Sequence, residues 1–258
     1  MGENTAVKWV LFFFFPALFL YGLLHIYSSK PAQAKKTQDL TAEEEAGRKV
    51  YNKFCVGCHG VNGDGQTEAA KFFKDKPPNF HTAVFRWKST PEGCLPTDED
   101  LLHVLNWGIL QTPMPSFKLV PEVQKKAVIA YIKTFAREKW EAGQPDPEKC
   151  QSVYKHIKKP KDFGSPELIA RGKELYAQNC TACHGEQGMG DGPLAASLPV
   201  PPTDLTYPVR SAGPKPEDTF RVLTVGLEGS PMPAFGHLSE RDRWALVSYI
   251  AYLMNKGK

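Results

Sequence analysis

The sequence predicts an all-α chain: one N-terminal transmembrane helix followed by two tandem copies of one small helical domain. Three observations carry this. An apolar run without formal charge opens the chain, the remainder repeats itself, and its apolar residues recur at helical spacing between capping signals, with strand patterns nearly absent. At 258 residues, two domains of about 100 residues fit once a membrane segment and linkers are set aside. The 41% hydrophobic content is slightly under the roughly 45–50% of ordinary globular chains, so something besides side chains is expected to fill part of the core. Charged residues at 23% and aromatics at 11% exclude a disordered, collagen-like or coiled-coil chain. The net charge of +4 is thinly spread, and without a Lys/Arg block to grip phosphates, nucleic acid is excluded as a partner.

The apolar run Trp9–Tyr27 is 19 residues long. As a helix at about 1.5 Å per residue it spans roughly 28 Å, one bilayer crossing. Trp9 and Tyr27 stand at its ends, where interfacial rings are expected, and Pro16 is tolerable in a membrane helix. Ala32-Gln33-Ala34 has the form of a signal-peptidase site, but the run exceeds the usual 7–15 residues or so of a signal peptide, which favours an uncleaved anchor. Lys30, Lys35 and Lys36 after the run would place its C-terminal side in the cytoplasm; the cysteines argue the opposite and carry more weight.

Cys55-Val56-Gly57-Cys58-His59 recurs as Cys180-Thr181-Ala182-Cys183-His184. C-x-x-C-H is the attachment pattern of c-type haem: two thiols three residues apart reach the two vinyl groups of one porphyrin, and the adjacent His lies beneath the iron. A zinc site would need its two C-x-x-C pairs at compact spacing, whereas these lie 125 residues apart. A thioredoxin-like pair has no use for the His. Two covalently bound haem c groups are therefore expected. Haem attachment puts the domains on the periplasmic or outer side of the inner membrane.

Around these motifs the chain is duplicated. At an offset of 125, Gly47, Tyr51 and the C-x-x-C-H-G run meet Gly172, Tyr176 and its counterpart. At 127, Gly63-Asp64-Gly65 meets Gly190-Asp191-Gly192; at 124, Pro77-Pro78, Thr82 and Arg86 meet Pro201-Pro202, Thr206 and Arg210. From Asp100 onward, at 118, Gly108, Pro113-Met114-Pro115, Phe117 and Tyr131 meet Gly226, Pro231-Met232-Pro233, Phe235 and Tyr249. Each copy reads as three helices joined by long turns. Thr41-x-x-Glu44 and Ser165-Pro166 open the first helices, and Thr97-x-x-Asp100 and Pro216 the middle ones, which end by Gly108 and Gly226. The last helices follow Pro121 and Ser239-x-x-Asp242. The expected organisation is an anchor and short linker at 1–34, a first domain at 35–140, a Pro/Gly-rich linker at 141–164 and a second domain at 165–258.

The second axial ligand separates carrier from enzyme. Of five Met residues, Met114 and Met232 share the P-M-P context, where flanking prolines stiffen the loop. A thioether there would raise the reduction potential and close the iron; core filling is the alternative. The expected iron ligands are His59 with Met114 and His184 with Met232. His25, His81, His103, His156 and His237 are default surface or capping residues.

G-x-x-x-Y-x-x-x-C-x-x-C-H-G, P-M-P-x-F and a terminal D-x-W-A-L-V-x-Y-I helix resemble class I cytochrome c domains, over about residues 41–136 and 165–255, and the pairing resembles membrane-anchored di-haem cytochromes c. The resemblance implies that first and last helices cross closely, with Gly47 against Tyr131 and Gly172 against Tyr249. Arg86 and Arg210 are candidates for the haem propionates, since guanidinium suits carboxylate, and read equally well as surface residues. Cys94 and Cys150, left over in an oxidising compartment, favour a disulfide; Met114 makes Cys94 unnecessary as a thiolate ligand. The function expected is electron transfer by a tethered protein in a respiratory or photosynthetic chain, with membrane lipid around the anchor. Its redox partners would be a quinol-oxidising complex, a terminal oxidase or a soluble cytochrome. The rival is a di-haem peroxidase or thiosulfate dehydrogenase, which needs one iron with an open or displaceable ligand; symmetric Met loops count against it.

Overall fold

The computed structural model describes residues 39–207 and 215–256. The apolar run Trp9–Tyr27 lies outside them. Among the described residues every regular element is helical, and no helix is long and apolar enough to cross a membrane.

The first half contains α1 (Ala42–Phe54), a single turn α2 (Val56–His59), α3 (Asp98–Trp107), α4 (Glu122–Thr134) and α5 (Arg137–Ala142). The second contains α6 (Pro166–Asn179), the turn α7 (Thr181–His184), α8 (Pro216–Val225) and α9 (Glu240–Lys256). The caps fall where the sequence puts them. Thr41 accepts from Glu44 N at 3.2 Å while Glu44 accepts from Thr41 N at 2.8 Å, and Thr97 and Asp100 reciprocate in the same way. Two otherwise unpaired amides are satisfied at each start.

First and last helices of each half cross at a glycine. A methyl on Gly47 would lie 1.9 Å from the Ala127 carbonyl oxygen and 2.9 Å from Tyr131 Cβ. On Gly172 it would lie 2.0 Å from the Ala245 oxygen and 2.8 Å from Tyr249 Cβ. Only hydrogen fits at these two crossings. Each half has its own apolar cluster, centred on Tyr51, Val128 and Ile129 in the first and on Tyr176, Leu246 and Trp244 in the second, where Trp244 stacks on Phe220 at 4.5 Å.

One part of the repeat register needs correction. Gly65 N donates to His59 O and Gly190 N to His184 O, both at 2.9 Å; Phe80 N donates to Gly63 O as Leu205 N does to Gly188 O. A methyl on Gly65 would meet Pro77 O, and on Gly190 Pro202 O. The backbones therefore stay at an offset of 125 through the glycine and proline loops, where residue identities suggest 127 and then 124, although Asp64 and Asp191, matched at 127, both bring Oδ1 against the turn glycine, Gly60 or Gly185. His81 thus corresponds to Thr206; Arg210 lies outside the described residues. In Gly- and Pro-rich stretches identities recur at several shifts, whereas backbone hydrogen bonds fix one. The 118 offset holds: Phe117 N donates to Leu105 O and Phe235 N to Leu223 O, each at 2.7 Å.

The stretch expected as a linker is bound to both halves. Cys94 and Cys150 are disulfide-bonded, with Cα atoms 5.4 Å apart. Val153 N donates to Ser89 O at 3.0 Å, and Tyr154 Oη donates to Asp218 Oδ1 at 2.8 Å. Beside them Lys88, 2% exposed, pairs with Glu228 and donates to the Cys94 carbonyl. Arg221 Nη1 donates to Lys88 O at 2.7 Å. A buried ammonium needs such partners, since desolvation without them is costly.

Candidate haem sites

Both C-x-x-C-H segments are built alike. α1 ends as Cys55 N donates to Tyr51 O, and the turn closes with His59 N on Cys55 O; α6 ends as Cys180 N donates to Tyr176 O, with His184 N on Cys180 O. Gly60 and Gly185 then turn the chain at φ 78° and 75°. Their carbonyls accept from Tyr51 Oη at 2.7 Å and Tyr176 Oη at 2.9 Å. The tyrosines are visible in the sequence as repeat matches, but their hold on the turn is not.

The Met loops are likewise self-contained. After Gly108, Ile109 N donates to Met114 O at 3.0 Å and Met114 N to Thr112 Oγ1 at 3.2 Å. After Gly226, Leu227 N donates to Met232 O at 3.1 Å and Met232 N to Ser230 Oγ at 3.2 Å. The hydroxyl two residues before each Met is a sequence signal for this loop that the P-M-P pattern alone does not include.

Among the described residues, a cavity opens at each C-x-x-C-H turn. Cys55, Cys58, His59 and Met114 line the first, of about 410 Å³, and Cys180, Cys183, His184 and Met232 the second, of about 240 Å³. The two expected attachment cysteines and two expected iron ligands of each haem thus line one space. Asp75, Arg86, Trp87 and Thr112 line both cavities, so the sites share a wall, a proximity that the sequence does not disclose.

The chemistry of these groups suits a covalently held, iron-containing group. Burial lowers the His59 imidazole to about 4. It lowers His184 too, against the opposing hydrogen bond to Thr203, so neutral nitrogen is on offer, as coordination requires. His184 Nδ1 lies 2.9 Å from the Thr203 carbonyl oxygen; with Nδ1 as the donor, Nε2 is left free for iron. His59 stacks on Phe80 at 4.8 Å, and its buried Nδ1 has no partner among the described residues. Cys55 and Cys180 are unpaired thiols, each pushed up to about 12 by burial.

The remaining candidates separate. Arg86 Nη1 pairs with Asp75 Oδ1 at 2.6 Å at the shared wall; Arg210 lies outside the described residues. His81 Nε2 contacts Asn62 O at 2.7 Å, His103 Nε2 lies 3.3 Å from Asp218, and His156 and His237 are exposed. None of these four lines either cavity; His25 lies outside the described residues.

Residues 44–136 match the cytochrome c family, and residues 167–250 match cytochrome c oxidase, cbb3-type, subunit III. The chain is 24% identical to the cbb3-type oxidase subunit FixP of Azorhizobium caulinodans, over 84% of this chain and 61% of the relative. It is 26% identical to CcoP of Azospirillum brasilense, over 70% and 52%, so it spans between half and two thirds of these relatives' length. It also resembles a solved chain of the reducing HAO-like protein complex of Kuenenia stuttgartiensis, at 32% identity and a TM-score of 0.71, covering 83% of this chain and 97% of that one. Paired C-x-x-C-H turns, paired Met loops and these likenesses agree: the chain belongs to the cytochrome c family, with a cytochrome c domain in each half.

Proposed function

We propose that this chain is a membrane-tethered di-haem electron-transfer protein. The observation that supports it most is the doubling: both cavities bring two Cys, one His and one Met together, so both irons would be six-coordinate and neither open to a substrate. Haem bound at each site supplies a reversible one-electron couple. The residues would do the rest: the Cys pairs would fix the ring's position, neutral His and Met would hold the iron, and apolar walls would exclude water. The shared wall offers a short route between the sites. Arg86, paired with Asp75 at that wall, would meet a propionate. Trp9–Tyr27 would anchor the chain, and tethering raises its effective concentration near a partner.

For the partner, a subunit or carrier role beside a multi-subunit redox complex is the reading best supported, since the relatives named above belong to such complexes. The test uses the full chain matured with haem. It is expected to stay with washed membranes, to carry two haems, and to be oxidised by a partner complex without turning over peroxide or thiosulfate. Turnover of either, or one haem per chain, would refute the proposal.

A further inference from the structure

Gln111 lies on the Met114 loop at φ 62°, in the left-handed region that glycine favours. By the 118 offset its counterpart is Gly229, at φ 71°. The second half thus fills this position with the residue the backbone prefers, while the first keeps a strained glutamine, and strain of this kind persists where the surroundings repay it. The side chain shows what repays it. Gln111 Nε2 donates to Asp204 O at 2.9 Å, and Asp204 N donates to Gln111 Oε1 at 3.1 Å. The amide thus pairs with the backbone of Asp204 across the two halves. Asp204 directly follows Thr203, whose carbonyl lies 2.9 Å from His184 Nδ1. Leu110, Gln111 and Thr112 also line the cavity of the second half.

We propose that Gln111 is a positioning residue for the other half's haem, a role that rests on the di-haem reading above. By fixing the backbone at Asp204 it holds the Thr203 carbonyl against His184, which sets the ring's orientation and increases the basicity of the ligand nitrogen. A more basic imidazole favours ferric iron and lowers the potential of the Cys180/Cys183 haem. His59, with no such acceptor among the described residues, does not share this control.

The test is a spectroscopic redox titration of the full haem-loaded chain against Gln111→Gly, which removes the clamp and suits the left-handed backbone. Gln111→Asn, whose amide is one methylene too short, is the second variant. Met114→His and Met232→His assign each wave to its haem. An upward shift confined to the Cys180/Cys183 wave in both variants is the expected result. Unchanged potentials, or equal shifts of both waves, would overturn the clamp alone. Fewer than two haems in the parent chain would overturn the di-haem reading, and the clamp with it.

Discussion

Met114 and Met232 are the residues on which the closed-iron reading turns. Met114→His or Met232→His replaces a thioether with a stronger donor to ferric iron and is expected to lower the potential of that haem alone. A redox titration in which neither variant moves would contradict the ligand assignment. Residues of this kind are legible in the sequence because bond-forming chemistry restricts their type. Only Cys bonds the vinyl groups and only a few side chains reach iron, so Cys55, Cys58, His59 and Met114, with their counterparts, stand out. Groups that act through the backbone do not: the Thr203 carbonyl carries no sequence signal, because every residue has one. Phe80 stacks on His59 where the second half has Leu205, so the repeat gives no sign of it either.

At the level of elements, the caps and helix ends follow from local rules. Thr41, Thr97 and Ser165 sit at N-caps, and Gly108 and Gly226 at C-caps. The loops are harder, because Gly and Pro identities match at several shifts and only hydrogen bonding chooses among them. The crossings of α1 with α4 and of α6 with α9 carry the clearest consequence. Gly172→Ala would drive a methyl against the Ala245 backbone, where no side-chain rotation relieves it. A loss of roughly 1–3 kcal/mol is expected from overpacking of this kind, read as a lower denaturant midpoint in the haem-loaded protein. An unchanged midpoint would mean that the helices part easily and that their close approach does not hold the fold.

Across the whole molecule, the two halves are joined by contacts without periodicity: the buried Lys88–Glu228 pair and the Gln111–Asp204 clamp, with a disulfide tying the first half to the stretch between them. Elimination pairs Cys94 with Cys150 from the sequence, but nothing in the pattern of residues places one cavity beside the other. On the proposed reading, that placement would make two single-electron sites into a relay, with Trp87 and the Arg86–Asp75 pair lining both cavities. Four ionised propionates would nearly cancel the formal +4, so partner steering falls to local patches rather than total charge. The relay reading requires that neither iron be open. Low-temperature electron paramagnetic resonance of the fully oxidised chain, with haem quantified in the same sample, tests this most directly. Two low-spin haems per chain and no high-spin signal are predicted; a high-spin or thiolate-like signal from either haem would contradict the account and put a catalytic site in its place.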